Sequence, residues 1–172
     1  TALRSNRDLQ NGPFTWPREF TPAQNFRNAW VGGRFSIYLK NSFIQTIPSV
    51  AIVIAFATLA GFGFAKTRFP GRSALFYLLL MGMMIPFQSI MIPQFFLFNS
   101  LGMIDTHWAV VIAIGVGGIP FGTFMMRSFF MGLPDQLLEA ARLDGCSDLA
   151  AFLRVMLPLT YPAWVSLVIF QT

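Results

Sequence analysis

The sequence has one cysteine, Cys146, and one histidine, His107, which excludes a disulfide framework and any metal site needing several such ligands. Charge is scarce. Asp, Glu, Lys and Arg make up 11% of residues against 55% apolar ones, and mean hydropathy is +0.59. Soluble domains do not have this composition; a membrane protein does. Twelve Lys and Arg against seven Asp and Glu leave a net charge of +5, yet the bases flank apolar runs and form no patch for nucleic acid. No His-Glu-x-x-His, Gly-x-Ser-x-Gly or paired intramembrane carboxylates occur, so proteolysis, hydrolysis and a proton relay have no residues to run them. The stretch GVGGIPFG, Gly115 to Gly122, lacks a following Lys-Ser or Lys-Thr and lies in an apolar run, so it is not read as a phosphate loop. Gly118 and Gly122, four apart, suit close helix packing instead. The chain holds no ATP site of its own and reads as no enzyme.

What is present is a series of charge-free runs separated by short polar segments. Residues 1–40 are polar, broken by Pro13, Pro17 and Pro22 and studded with aromatics. They read as an extracytoplasmic segment ending in an interfacial helix near Pro22 to Lys40, with rings at headgroup level. Residues 41–172 read as the transmembrane domain, with spans over 42–65, 73–98, 107–126 and a truncated 159–172. The first of these, 24 residues long, exceeds the roughly 30 Å of hydrocarbon at about 1.5 Å per residue. TRFPGR makes a tight turn between the first two spans, and Pro86 and Pro93 each remove a helix hydrogen bond from the second. Arg127 is expected to end the third. Lys and Arg counts on the two sides tie, and the weight of short loops near span ends places 66–72 and 127–157 inside. Thr1 is not an initiator Met, and the run after Arg154 is still apolar at Thr172, as expected of a fragment.

The polar residues within these runs are uncharged: Gln45, Thr46, Gln88, Ser89, Gln94 and Thr123. Amides and hydroxyls suit a polar neutral solute, and they equally suit hydrogen bonds between helices. Gln88 and Gln94, on a proline-broken helix, are the leading pathway candidates, because irregular backbone at membrane depth is tolerated where it lines a cavity. Ser89 and Gln45 join them.

Between the third run and the fourth lies a polar loop, 127–158. Pro134 suits a first helical turn, and Asp135 and Glu139 favour its dipole. Gly145 reads as a left-handed stop, and Ser147 or Asp148 as the cap of a second short helix carrying Leu149, Phe152, Leu153 and Met156. The expected form is helix, glycine elbow, helix. Four acids against two bases make it a poor interfacial lipid helix and leave two uses open, docking to a partner or plain structure. Glu139 with Asp135 is expected to lack a basic partner within the chain apart from Arg142.

Glu139-Ala140-Ala141, Asp144-Gly145 and Leu157-Pro158 stand at a long, specific spacing that resembles the EAA motif of bacterial ABC importer permeases, in the maltose-type carbohydrate branch. MIPFQSIMIPQFFLFNSLGMIDT, NSFIQT and TRFPGR are similar to the same branch, so the resemblance covers roughly residues 20–172. It implies an all-α polytopic transmembrane helical bundle, here with about three full spans and a truncated fourth, in a bacterial inner membrane. It implies a permease subunit that moves a carbohydrate or similar polar solute, paired with a second permease subunit, two ATPase subunits that bind ATP and Mg, and an extracellular solute-binding protein. The loop is then the coupling region. Glu139, Ala140 and Ala141 are expected to face the ATPase, Asp144 and Gly145 to form the elbow, and Phe152, Leu157 and Pro158 to tie the second helix to the last span. Cys146 stands where the family often has alanine. A secondary transporter or channel without an ATPase is the competing class; it has no use for such an elbow, and a proton- or sodium-driven carrier usually needs intramembrane carboxylates.

Overall fold

The computed structural model describes residues 22–171, and helices are the regular elements among them. The chain divides into two compact units after Ile44. In the first, helix α1 (Pro22–Gly32) buries no residue, and Trp30 packs on Phe35 with ring centroids 5.3 Å apart. Gly33 and Arg34 form a turn, with Arg34 at φ 50°. The interfacial helix expected over 22–40 is therefore two pieces, and α2 (Phe35–Lys66) runs straight through Lys40. A charge marks where hydrocarbon ends, but it leaves backbone hydrogen bonding intact and so does not end a helix. The remainder of the expected extracytoplasmic segment, residues 1–21, lies outside the described residues.

Helices α2 and α5 (His107–Gly132) are each long and apolar enough to cross a membrane unbroken. Thr106 caps α5, its Oγ1 accepting from the Ala109 amide at 3.3 Å. The helix does not stop at Arg127, as the charge suggested, but continues to Gly132. Arg127 is accommodated within the fold. Its Nε donates to the Phe64 carbonyl at 3.3 Å, and its guanidinium lies 4.2 Å from the centroid of the Phe76 ring, where the ring's negative face attracts it.

The other two expected spans are bent pairs. Helix α3 (Arg72–Met81) passes through a 3-10 turn, Gly82–Met84, to extended Ile85; Pro86 then starts α4 (Phe87–Ser100) at 95° to it. Pro86 breaks the run while Pro93 sits inside α4, as Pro48 and Pro120 sit inside α2 and α5. The last run begins before Leu159. After α6 (Gln136–Leu143), helix α7 (Asp148–Ala151) widens into a π turn, Phe152–Met156, and closes as α8 (Leu157–Leu159). Helix α9 (Tyr161–Gln171) follows at 67°. Counting each bent pair as one crossing, the described residues offer up to four spans.

Helices α2 and α5 meet through small residues. A Cβ at Gly122 would lie 2.8 Å from Ala57 Cβ, and one at Gly118 2.8 Å from Val53 Cγ2, so both glycines serve close approach. Buried polar atoms are mostly paired: Ser49 Oγ donates to the Gln45 carbonyl at 2.7 Å, and Trp164 Nε1 on α9 donates to Thr58 Oγ1 at 2.9 Å. Thr123 Oγ1 is buried with no hydrogen-bond partner among the described residues. The core then extends past these helices into the loop between α5 and α9, where Phe130, Leu138, Ala141, Phe152 and Met156 are packed together.

Candidate functional site

The loop is built from its glycine outward. Gly145 has φ +82°, a conformation that strains any side chain with a Cβ. Around it the Cys146 amide donates to the Ala141 carbonyl at 2.9 Å and the Gly145 amide to the Arg142 carbonyl at 3.0 Å, the paired bonds of a Schellman stop. That motif favours an apolar contact between its last residue and the preceding turn. Cys146 makes it, packing with buried Ala141 against the core. Ser147 then caps α7, its Oγ accepting from the Ala150 amide at 3.3 Å. Arg142 Nε donates to Asp148 Oδ1 at 2.8 Å across the elbow.

Each arm has an inner and an outer face. Leu138, Ala141, Ala151, Phe152 and Met156 are buried. The Phe152 ring lies 4.6 Å from that of Phe62 on α2 and 6.4 Å from that of Phe130 on α5. Phe152 therefore fastens the elbow to the two long helices, and it shares one buried cluster with Ala163 and Leu167 of α9; Leu157 is half-buried and Pro158 exposed. The outer face carries Glu139, Ala140, Asp144 and Gly145. Ala141 is not on it, because it lies three residues after Leu138 on the same helical face.

Leu143 is 89% exposed and Leu149 64%. Leu143 was missed as a site residue. The signal was available: on a helix it stands about 140° round from Leu138, an apolar residue on the polar face.

The carboxylates of the loop differ in what they meet. Asp135 does have a basic partner, contrary to expectation: Lys66, from the end of α2, forms an ion pair with it and also donates to the Leu133 carbonyl at 2.7 Å. Hydrogen bonding by Lys66, followed by its charge, holds the Asp135 carboxyl below the ordinary carboxylate range. Arg142 is spent on Asp148. Glu139 is left with no ion-pair partner among the described residues. It lines a cleft of about 630 Å³ together with Asp135, Arg142, Asp148, Lys66, Arg68 and Arg72.

The solute-pathway candidates are not gathered in one place by hydrogen bonding. Gln45 Nε2 and His107 Nδ1 lie 3.2 Å apart, which ties α2 to the start of α5. Gln88 and Ser89 are exposed in the first turn of α4, and Gln94 is half-buried further along it.

Residues 54–172 match the family described as binding-protein-dependent transport system inner membrane component. A diacetylchitobiose uptake system permease protein of Streptomyces coelicolor is 29% identical over 99% of this chain and 56% of its own length. An arabinooligosaccharides transport system permease protein of Bacillus subtilis is 35% identical over 86% and 52%, and an alpha-glucoside transport system permease protein of Rhizobium meliloti 32% over 91% and 42%. The chain thus spans about half the length of these relatives. In fold it is similar to a chain of a bacterial ABC transporter involved in the import of the acidic polysaccharide alginate, with a TM-score of 0.80 and 24% identity over 99% of this chain and 59% of that one.

Proposed function

The chain belongs to the family of binding-protein-dependent transport system inner membrane components, and from that premise we propose that it is a permease subunit of an ATP-driven importer of a carbohydrate or similar polar solute. In this reading it lies in a bacterial inner membrane beside a second permease subunit. A solute-binding protein delivers the solute outside, and two ATPase subunits bind ATP and Mg and hydrolyse the nucleotide inside. Its own contribution is a pathway through the bilayer and the elbow at 139–158 that docks the ATPase. The sugars in the relatives' names support the carbohydrate class, as do uncharged Gln88, Ser89 and Gln94 within the apolar α3–α4 region.

One observation carries the docking role: the elbow is anchored on its inner face by Phe152 and Ala141, while its outer face exposes Leu143 and a Glu139 that has no ion-pair partner among the described residues. An apolar residue exposed to 89% beside an unpartnered carboxylate suits a groove that is apolar at its floor and basic or amide-lined at its rim. The test is co-purification with the ATPase subunit from nanodiscs. The parent should retain the ATPase, and Leu143→Asp should lose it while inserting normally. A parent that retains no ATPase at low ionic strength, or a variant that retains it fully, overturns the docking role.

A further inference from the structure

Lys66 looks at first like a boundary lysine, a base at the end of a span whose long stem reaches toward headgroups. The structure gives it another task. Its side chain is only 5% exposed, and a buried ammonium is stable only when its charge and its hydrogen bonds are met within the protein. Both of its partners belong to the short connector between α5 and α6. The Leu133 carbonyl, 2.7 Å away, caps the end of α5, where the helix dipole is negative, and Asp135 opens α6. The ammonium at the end of α2 therefore grips both sides of the joint from which the elbow hangs. Arg127 adds a second tie between the same two long helices, linking α5 to the Phe64 carbonyl of α2, and also meets the Phe76 ring of α3.

We infer that Lys66 is a positioning residue that clamps α6 to α2, so that displacement of the elbow is transmitted to the unbroken span α2 instead of being absorbed at the Leu133–Asp135 connector. The inference rests on reading the elbow as the docking site. Without the ammonium, the Leu133 carbonyl and the Asp135 carboxylate lose their shared donor, and α6 hinges on Pro134. With it, the last turn of α2 and the first turn of α6 share one electrostatic bolt. Lys66 touches neither solute nor nucleotide; it acts through Asp135 and Leu133.

Two readouts test the clamp in nanodiscs. Amide hydrogen exchange over 136–143 needs no partner: Lys66→Met should speed it by about tenfold, the worth of one charge-assisted hydrogen bond, and Lys66→Arg should restore it. With the ATPase bound, Lys66→Met should keep the subunit associated and lose about tenfold of the solute-stimulated hydrolysis, with recovery in Lys66→Arg. Should Lys66→Met fail to insert, Asp135→Asn decides, because it changes a surface group and leaves the Leu133 bond; exchange should rise about threefold, the scale of one exposed ion pair. Parental exchange in these variants overturns the clamp, as does an arginine variant no better than the methionine one. Loss of ATPase binding by the parent strikes the docking reading alone, since the exchange measurement still judges the clamp.

Discussion

Two bent helix pairs in this chain carry prolines, and they have little else in common. In the α3–α4 pair, Pro86 ends one helix and starts another at 95°, and α4 buries no residue at all. In the pair from α7 to α9, Pro158 sits in the first turn of α8 after a π turn, and the bend of 67° comes at Thr160. There Phe152, Met156, Ala163 and Leu167 are all buried. A proline removes one hydrogen bond wherever it stands, but what the chain does next depends on what surrounds it. Pro86 marks a break, whereas Pro93 in the same helix α4 and Pro158 after the π turn each sit within a helix, so a proline alone does not set the bend. The elbow thus hangs from a packed base, and α4, with its candidate pathway amides, has no fully buried residue.

The contrast predicts unequal responses to truncation. Phe152→Ala should cost about 3–5 kcal/mol, as expected for a buried ring, whereas Phe95→Ala on α4, 55% exposed in the parent, should stay within about 0.5 kcal/mol. Thermal denaturation in nanodiscs measures both, and equal shifts would erase the distinction.

Next come the two connectors. Gly145 and Gly102 both have positive φ, +82° and +65°, so Val at either should cost about 1–3 kcal/mol in strain. Only Gly145→Val should also abolish coupled uptake, because only that glycine aims the proposed docking face. A Gly102→Val variant that loses ATPase association would break the assignment of sides.

Glu139 offers a smaller effect. Glu139→Ala should weaken ATPase association by about 1 kcal/mol or less, and Glu139→Lys by more, with the gap closing as salt rises. Identical binding by both at low ionic strength removes the carboxylate from the docking face.

On α4, Gln88→Leu or Gln94→Leu should lower uptake by about threefold, the scale of one interhelical amide bond, with ATPase association unchanged. Unchanged uptake in both would make these amides packing groups.

The smallest effect is in pH. The folded-state pKa of Asp135 is depressed, so the stabilisation from its pair with Lys66 is fully present above the ordinary carboxylate pKa and is lost as pH falls through the lowered folded value. Exchange over 136–143 should be insensitive to this group from about pH 5 to 8 and should lose that protection only below about pH 4. Loss of the pair's contribution near neutrality would contradict the geometry.

What could be read in advance was local. Gly145 announces a stop, and Ser147 or Asp148 a cap, through residues within five positions of themselves; the stop is where the pattern put it, and of the two caps left open Ser147 is the one formed. The apolar runs of α2 and α5 are likewise visible from composition alone. What could not be read joins distant parts of the chain: Lys66 with Asp135 across 69 positions, Gln45 with His107 across 62, Arg127 with Phe64 across 63. Periodicity cannot tell a boundary lysine facing headgroups from one folded back onto a helix end, since both follow the same apolar run. The same blindness applies to Arg127, whose partners Phe64 and Phe76 lie far away in sequence; Ala141, by contrast, was legible from its three-residue spacing to Leu138.

The π turn at Phe152–Met156 also acts as a phase setting. Such a turn holds one more residue than the α turn it replaces, and each residue rotates a helix by about 100°. That single surplus residue shifts the azimuth of the elbow relative to α9, in a stretch where Phe152 and Met156 are buried and Leu149 is exposed. Deleting one residue there would leave the length and composition of the loop almost untouched and swing the docking face about a quarter turn around the bundle. The angle at which this chain meets whatever lies beneath it is thus counted out in residues, and an insertion or deletion of one is the coarsest and finest adjustment available to it.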